Sequence, residues 1–248
     1  MIRFLFTVIV VVVSLLLACP LLLVCLIMKY ISKPAEDKFI MFIIKAFMII
    51  VRWASGAKID YRGLDNIPDD KGVLYIGNHS SYFDVVFTYP VVKGNVGYIA
   101  KKEFEVYPIL AWAMKLSYCL FLDREDIKQG LAIIIKAIEY VKSGASIFIF
   151  PEGTRSRDGK IAEFKEGSVK IASKSGCPII PVAISNAAEV FENHIPRIKG
   201  APVIVEFLPP IYPKELDKEE QKHLGKMVHD IIEETVQKNN EELGVKNC

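Results

Sequence analysis

Hydrophobic residues concentrate at the front of the chain, in two long segments. Residues 4–28 form an apolar stretch of 25 residues with only three interruptions. Because a helix needs about 20 apolar residues to cross a bilayer, this stretch predicts a membrane helix. Residues 39–53 are also apolar but contain Lys45 and Arg52, which favours an interfacial or re-entrant helix. Residues 34–37 (Pro-Ala-Glu-Asp) are predicted to form the turn between the two helices.

The length of the first segment argues against a leader that is cleaved off. Signal peptides have an apolar core of about 7–15 residues, which is shorter than this one. Residues 16–19 (Leu-Leu-Ala-Cys) resemble a lipoprotein cleavage site, but residues 20–28 stay apolar where a mature lipoprotein becomes polar. We therefore expect residues 1–57 to be a retained two-helix membrane anchor. The pattern leaves open whether the first helix spans the bilayer or lies in one leaflet.

Short apolar runs alternate with helical patterns after the anchor. The predicted strands are 73–77, 96–100, 118–122, 146–150, 179–184 and 203–207. The predicted helices are 82–89, 108–115, 127–142 and 167–175, and a charged tail with apolar residues at helical spacing predicts a last helix packed on the domain. This alternation is typical of an α/β fold, so residues 58–248 predict one α/β domain with a mixed, mostly parallel sheet flanked by helices.

The charge of the chain is divided between the anchor and the domain. Residues 1–58 carry seven Lys or Arg and two Asp or Glu, whereas the remainder carries 24 and 27. The basic front suits an anionic lipid surface, and the mildly acidic remainder argues against a nucleic-acid partner. We therefore expect the lipid bilayer to be a partner of this chain.

Cysteine and histidine usage excludes further classes of protein. The five cysteines show no Cys-x-x-Cys pair, which indicates a reducing compartment. We therefore expect a cell-membrane location with the domain on the cytoplasmic side. The four histidines show no spacing typical of metal ligands, so no metal site is predicted.

Residues 78–84 (Asn-His-Ser-Ser-Tyr-Phe-Asp) are the first polar patch with chemical potential. His79 could act as a general base, and Asp84 could fix its tautomer and stabilise the imidazolium. Five residues of regular helix would turn the two side chains apart, so the pair needs a junction between a loop and a helix. Asn78, Ser80 and Ser81 are candidate caps for such a helix. Alternatively, Asp84 only caps the helix and His79 is an ordinary loop residue; the segment alone leaves both interpretations open.

The second polar patch follows the apolar run 146–150 and includes Glu152, Gly153, Thr154 and Arg155. Pro151 ends the strand, so these residues lie at its carboxyl end, where open α/β sheets bind ligands. Arginine presents a planar fork to a phosphate group. Glu152 would repel a phosphate, so we expect it to orient Arg155 or to accept a hydrogen bond from a substrate hydroxyl. The alternative is an ordinary polar turn.

Four blocks in this order resemble the glycerolipid acyltransferase family, whose first block is His-x-x-x-x-Asp. The blocks are residues 78–84, 120–124 (Leu-Phe-Leu-Asp-Arg), 150–156 (Phe-Pro-Glu-Gly-Thr-Arg-Ser) and 179–184 (Ile-Ile-Pro-Val-Ala-Ile). The resemblance covers roughly residues 58–210. Cys119 and Leu120 depart from the small, glycine-rich approach that is common before the second block.

The resemblance implies a reaction and a set of roles. The reaction would move a fatty acyl group from an acyl thioester to the sn-2 hydroxyl of 1-acyl-glycerol 3-phosphate (lysophosphatidic acid), giving phosphatidic acid in phospholipid biosynthesis. His79 would be the general base and Asp84 would orient it, without an acyl-enzyme. Gly153, Arg155 and Arg124 would hold the acceptor phosphate. Lys101 and Lys102 are further phosphate candidates, and they are equally compatible with a solvated basic pair. No cofactor is implied beyond acyl-CoA or acyl-carrier protein as co-substrate.

Other functions remain to be separated from this one. Within the family, the acceptor could be glycerol 3-phosphate or another lysophospholipid. A thioesterase or lipase would use water instead, but no serine lies in the Gly-x-Ser-x-Gly elbow that most such enzymes carry. A membrane-bound binding protein would not need His79, Asp84 and Arg155 together. The sequence leaves open the acyl-chain length, the donor carrier and the oligomeric state.

Overall fold

A computed structural model describes residues 1–69, 71–156 and 159–245. The strands in chain order are β1 (Lys58–Arg62), β2 (Leu74–Gly77), β3 (Val96–Lys101), β4 (Leu120–Leu122), β5 (Ser146–Ile149), β6 (Ile179–Ser185) and β7 (Pro202–Phe207). The α-helices are α1 (Ile2–Ile31), α2 (Lys33–Ser55), α3 (Phe83–Thr88), α4 (Pro108–Leu116), α5 (Ile127–Lys142), α6 (Lys170–Ser175), α7 (Lys218–Lys222) and α8 (Leu224–Glu242).

The described strands form one seven-stranded sheet in the order β1-β7-β6-β2-β5-β3-β4. All neighbouring pairs are parallel except β6 and β7, which are antiparallel. This confirms the predicted mixed, mostly parallel sheet. The central strands β2, β5 and β6 are buried along their whole length, as expected for strands covered by helices on both faces.

Alternate residues of each central strand belong to two different apolar clusters. Tyr75 of β2 faces a cluster that includes α3 and part of α2, whereas Leu74 and Ile76 face a cluster built with α5, α6 and α8. This is the period of two that strand geometry imposes. The apolar residues at helical spacing in the tail lie on α8. As predicted, α8 packs on the domain, on the sheet face that carries Leu74 and Ile76.

The anchor is a helical hairpin whose turn differs from the prediction. The break lies at Ser32, which has an extended backbone and whose hydroxyl accepts a hydrogen bond from the Ala35 amide. Residues 34–37 are therefore the first turn of α2 and not the connection, so that prediction was wrong. Proline is favoured at the start of a helix as well as in turns, because its missing N–H would have no helical partner there.

Helix α1 is long and apolar enough to cross a membrane, by length and composition, and it is the one such helix among the described residues. Most of its large side chains are exposed, as lipid-facing side chains would be. Helix α2 is different, because it buries one side against the domain while Phe42 and Trp53 point outward at 68% and 71% exposure. This agrees with the expected interfacial character of the second segment.

The anchor shares its core with the α/β domain. Met41 and Val51 of α2 belong to the same apolar cluster as the central strands. Near the start of α2, Asp37 accepts hydrogen bonds from the Tyr118 hydroxyl (2.8 Å) and from the Asn95 side chain (3.3 Å), which both lie in the domain. The domain boundary at residue 57 stays a prediction, but the hairpin is packed as a wall of the domain.

Strand β1 is absent from the predicted elements. It pairs with β7 alone, at the edge of the sheet, and only Ile59 and Tyr61 are apolar. An edge strand with two apolar positions gives a weak sequence pattern. Its formation depends on pairing with β7, which lies more than 130 residues later in the chain. For the other strands and helices predicted with bounds in the α/β domain, the predicted and observed bounds differ by at most three residues. Asp126 caps α5, because its side chain accepts from the Gln129 amide.

Replacing Met41 by alanine tests whether the hairpin and the domain unfold together. Met41 is 6% exposed, and we expect M41A to lower the free energy of unfolding by about 2–5 kcal/mol, as for other large-to-small changes in a core. The neighbouring Phe42 is 68% exposed, and F42A should change the free energy of unfolding by less than about 0.5 kcal/mol. Thermal unfolding in detergent measures both variants. Equal effects of the two substitutions would show that the hairpin is not part of the cooperative unit.

Candidate active site

The two polar patches lie side by side at one edge of the sheet. His79 follows β2 by two residues, and the segment from Glu152 to Arg155 follows β5. Because β2 and β5 are adjacent and parallel, their carboxyl ends bring the two loops together. This is the edge at which open α/β sheets bind ligands.

Asn78 fixes the start of the first loop. Its side chain is buried, donates to the carbonyl oxygen of Ile184 (2.9 Å) and accepts from the amide of Ile184 (2.8 Å). The side chain thus continues the pairing of β2 with β6 by one step. Asn78 is therefore a strand clamp and does not cap α3, in contrast to our expectation.

His79 and Asp84 form the predicted pair. Nδ1 of His79 lies 2.8 Å from Oδ2 of Asp84, whose side chain is completely buried. Because an ionised carboxylate can only accept, Nδ1 carries the proton and Nε2 is left as the basic nitrogen. The structure therefore orients the imidazole as a general base requires.

The same carboxylate also shapes the turn between His79 and α3. Oδ2 of Asp84 accepts from the amides of Ser80 (2.8 Å) and Ser81 (2.9 Å), and the Ser81 hydroxyl accepts from the Phe83 amide. Asp84 thus combines both sequence interpretations, since it organises the helix start and holds the imidazole. This turn is the junction that the five-residue spacing required.

The backbone of His79 is held by the second loop. Its amide donates to Oε1 of Glu152 (2.6 Å), and its carbonyl oxygen accepts from the amide of Ser156 (2.9 Å). The imidazole stacks on the ring of Phe150 with centroids 4.3 Å apart and planes inclined by 17°. His79 is therefore fixed by three contacts besides Asp84.

Glu152 does not have the role expected of it with respect to Arg155. Its carboxylate is buried, and its two oxygens accept from the amides of His79 and Ala162. Burial raises the pKa of Glu152 above its usual range, and these hydrogen bonds oppose that shift. Glu152 therefore ties the chain at Ala162 to the histidine loop. Whether it also accepts from a substrate hydroxyl stays a prediction.

Arg155 lies between an aromatic ring and a carboxylate from a distant segment. Its guanidinium carbon is 3.5 Å from the centroid of the Tyr82 ring, and Nη1 donates to Oε1 of Glu192 (2.9 Å). Glu192 lies in a 3-10 turn, Glu192–His194, after β6. Arg155 therefore contacts Glu192, where Glu152 was one of the expected partners, and no motif in the sequence pointed to Glu192.

The remaining predicted site residues lie around the same opening. Gly153 has a φ of +74°, which an L side chain rarely adopts, so glycine permits the turn that carries Thr154 and Arg155. Thr154, Arg124 and Lys101 line the cavity described next, whereas Lys102 forms an ion pair with Asp123 (2.9 Å). Lys101 pairs with Glu103 at 2.5 Å. The structure brings together Lys101, Arg124 and Arg155 along one cavity.

The site opens into a cavity of about 1430 Å³. His79, Arg155 and Arg124 line its polar part, and the rest is mainly apolar. The apolar wall is drawn from α1, α2, α3 and α4, and includes Val11, Leu15, Phe47, Val86 and Met114. The cavity is large enough for an apolar chain, with charged groups near the imidazole.

One group of side chains that could bind a metal occurs among the described residues. It consists of His229, Asp230 and Glu233 on α8. None of the three lines the cavity, and Asp230 is already paired with Lys226. The site at β2 and β5 is therefore built from an imidazole, carboxylates and cationic side chains.

The fold and site define an α/β protein with a histidine–aspartate pair, an arginine turn and an apolar cavity. The family model described as Acyltransferase matches residues 58–185, which is more than half of the chain. The 1-acyl-sn-glycerol-3-phosphate acyltransferase of Borreliella burgdorferi is 33% identical over 189 residues, covering 76% of this chain and 75% of that protein. The chain therefore belongs to this acyltransferase family.

Further comparisons agree with the family and the fold. The chloroplastic 1-acyl-sn-glycerol-3-phosphate acyltransferase BAT2 of Brassica napus is 36% identical over 134 residues, which are 54% of this chain but only 39% of that protein. The crystal structure of PlsC, the 1-acyl-sn-glycerophosphate (LPA) acyltransferase of Thermotoga maritima, superimposes with a TM-score of 0.81 at 24% identity. The match covers 96% of this chain and 95% of that one, so the likeness in fold extends over nearly the whole of both chains.

The clamp made by Asn78 can be tested by its removal. N78A leaves the buried amide and carbonyl of Ile184 without their partner, and each such group costs about 1–3 kcal/mol. The control is N193A, because Asn193 is exposed and, within the part of the chain that the structure describes, its side chain bonds to Glu189 alone. Thermal unfolding should show a clear loss of stability for N78A and almost none for N193A. A stable N78A would mean that β2 and β6 do not need the clamp.

Proposed function

We propose that this chain transfers a fatty acyl group from an acyl thioester to the sn-2 hydroxyl of 1-acyl-glycerol 3-phosphate, giving phosphatidic acid. The observation that carries the proposal is the His79–Asp84 pair at 2.8 Å, at the mouth of an apolar cavity and beside Arg155. The acceptor has a matching group for each of these features. Its reactive hydroxyl suits the His79–Asp84 pair, its acyl chain suits the apolar cavity, and its phosphate suits Arg155. The relatives named above act on such an acceptor by their names.

The chemistry begins with the acceptor hydroxyl. Nε2 of His79 takes its proton as the oxygen attacks the thioester carbonyl, and Asp84 stabilises the imidazolium that results. The new C–O bond forms, and the C–S bond breaks when the tetrahedral intermediate collapses. The imidazolium returns its proton to the thiolate, so the products are the ester and the free thiol. The acceptor attacks directly, and no acyl-enzyme forms.

The cationic side chains around the cavity serve the acceptor phosphate. Arg155 presents its fork at the turn that Gly153 permits, with Thr154 beside it. Arg124 and Lys101 line the same cavity and add positive charge. Glu152 holds the amide of His79, and its expected hydrogen bond from a substrate hydroxyl stays a prediction.

The apolar part of the cavity supports a lipid substrate delivered from a membrane. Residues of α1 and α2 line it, and α1 has the length and composition of a membrane helix. We therefore place the enzyme at the cell membrane with the site on the cytoplasmic side, with the bilayer as its partner. The free thiols of Cys19, Cys25, Cys119 and Cys177 support a reducing compartment. Either acyl-CoA or acyl-carrier protein is a suitable donor.

A single assay tests the proposal. Full-length protein in detergent is given labelled acyl-CoA together with lysophosphatidic acid, glycerol 3-phosphate or a lysophospholipid without a free phosphate. We expect transfer to lysophosphatidic acid to have the highest kcat/KM. Preferred transfer to glycerol 3-phosphate or to another lysophospholipid would replace the proposed acceptor, and release of free fatty acid alone would indicate a thioesterase.

The base can be tested by removing its two members in turn. H79A should lower kcat by about 10²–10⁴-fold, the range typical of a lost general base. D84N should also be severe but leave more activity, because the imidazole remains and loses only its orientation and charge support. H223A is the control, because His223 is exposed on the surface. If H79A keeps about a tenth or more of kcat while remaining folded by circular dichroism, His79 is not the base.

The phosphate contact can be tested through the acceptor KM. R155A should raise the KM for lysophosphatidic acid with little change in that for acyl-CoA, because a contact present in both ground and transition states acts on KM. R155K should restore only part of the affinity, since an ammonium lacks the planar fork. R197A, at an exposed arginine, is the control. A raised KM for acyl-CoA alone would assign Arg155 to the donor.

A further inference from the structure

Glu192 bridges the two loops of the site with one side chain. Its Oε1 accepts from Nη1 of Arg155 (2.9 Å) and from the amide of Tyr82 (2.8 Å). Its Oε2 accepts from the hydroxyl of Ser81 (2.6 Å). The side chain is only 16% exposed, so these bonds are partly shielded from water. Glu192 therefore connects the loop after β5 to the turn that carries the catalytic pair.

The position of Arg155 depends on this bridge. Its guanidinium lies over the ring of Tyr82, and the carboxylate of Glu192 contacts both Arg155 and the backbone of Tyr82. The ring and the carboxylate hold the guanidinium from two directions. Arginine has five N–H donors, and among the described residues the hydrogen bond to Glu192 uses one of those of Arg155. Donors therefore remain for an anion after the guanidinium is fixed.

We propose that Glu192 is a positioning residue for acceptor binding: it fixes the guanidinium of Arg155 against Tyr82 so that the fork faces the acceptor phosphate. The inference rests on the proposed function, in which Arg155 binds that phosphate. Glu192 is not among the residues that line the cavity, so it acts through Arg155 and the turn at Ser81. It also fixes the distance between the phosphate site and His79, because it contacts both loops.

A carboxylate beside a phosphate site has two opposing effects. Its charge weakens binding of an anion, whereas its hydrogen bonds keep the guanidinium in one orientation and reduce the ordering that binding requires. If orientation dominates, removal of Glu192 raises the acceptor KM. If repulsion or competition for Arg155 dominates, removal lowers it. The sign of the change therefore decides between a positioning residue and a competitor.

The test compares E192A and E192Q with E189Q in the full-length protein in detergent. E192A should raise the KM for lysophosphatidic acid about tenfold, the size expected for loss of one hydrogen bond to a charged group. The KM for acyl-CoA should stay within about twofold, since Arg155 acts on the acceptor side in this proposal. E192Q should show a smaller rise, because an amide oxygen can still accept from Tyr82 and Arg155. Glu189 pairs with His194 in the same segment, so E189Q tests mere loosening of that segment.

A double-mutant cycle with R155A shows whether Glu192 acts through Arg155. In the R155A background, E192Q should change the acceptor KM by less than about twofold. Three results would overturn the inference. E192Q could raise the acceptor KM equally with and without Arg155, E189Q could raise it as much as E192Q does, or E192Q could lower it. Circular dichroism and thermal unfolding identify a variant that has lost its fold, and E192Q, which preserves shape, then decides the result.

Failure of this inference is distinguishable from failure of the proposed function. If R155A leaves the acceptor KM unchanged, the phosphate role of Arg155 is wrong and the positioning role of Glu192 falls with it. If R155A raises the acceptor KM while E192A and E192Q do not, Arg155 keeps its role and only the inference about Glu192 is overturned.

Discussion

The site depends on how the backbone of His79 is held between two residues of the neighbouring loop. Its amide donates to the buried carboxylate of Glu152 and its carbonyl accepts from the amide of Ser156. These bonds couple the ends of β2 and β5, so the imidazole and the arginine turn have a fixed separation. The general base proposed here has to lie within hydrogen-bond reach of the proton it takes, and this coupling gives its imidazole a fixed position. The carboxylate of Glu152 is buried, so its hydrogen bond to the amide of His79 is shielded from water. The same burial disfavours the charged form of the carboxylate and raises its pKa.

The residues of the site come from separate parts of the chain. Several of them have two roles, one in the local structure and one in the site. Asp84 shapes the turn before α3 and contacts the imidazole, and Asn78 directly follows β2 and clamps Ile184 of β6. Phe150 closes β5 and stacks on the imidazole. A substitution at such a residue changes local structure and chemistry together. This explains why a capping interpretation and a catalytic interpretation of Asp84 were both supported by its sequence context.

The sequence predicts the parts of the structure that local patterns control. The bounds of α5, the alternation of the central strands and the membrane character of α1 follow from periodicity and apolar length. The four ordered blocks locate His79, Asp84 and Arg155. The partners of these residues lie far away in the chain: Glu192 is 37 residues beyond Arg155, and Ile184 is 106 residues beyond Asn78. Neither contact has a local signal, because only the order of strands in the sheet brings the segments together. The same reason explains why the edge strand β1 was missed. The hairpin turn was placed too late for a local reason, because proline suits the start of a helix as well as a turn.

The wall that α1 and α2 contribute to the cavity gives the surrounding lipids an indirect mechanical influence. Val11 and Leu15 of α1 face the cavity, while most large side chains of that helix point outward. The width of the cavity therefore depends on how closely the hairpin stays against the sheet. Where α1 lies in lipid, bilayer thickness and lateral pressure act on the packing of the hairpin against the sheet. A change in membrane composition would then alter the room available to a bound chain without any lipid touching the histidine or the arginine.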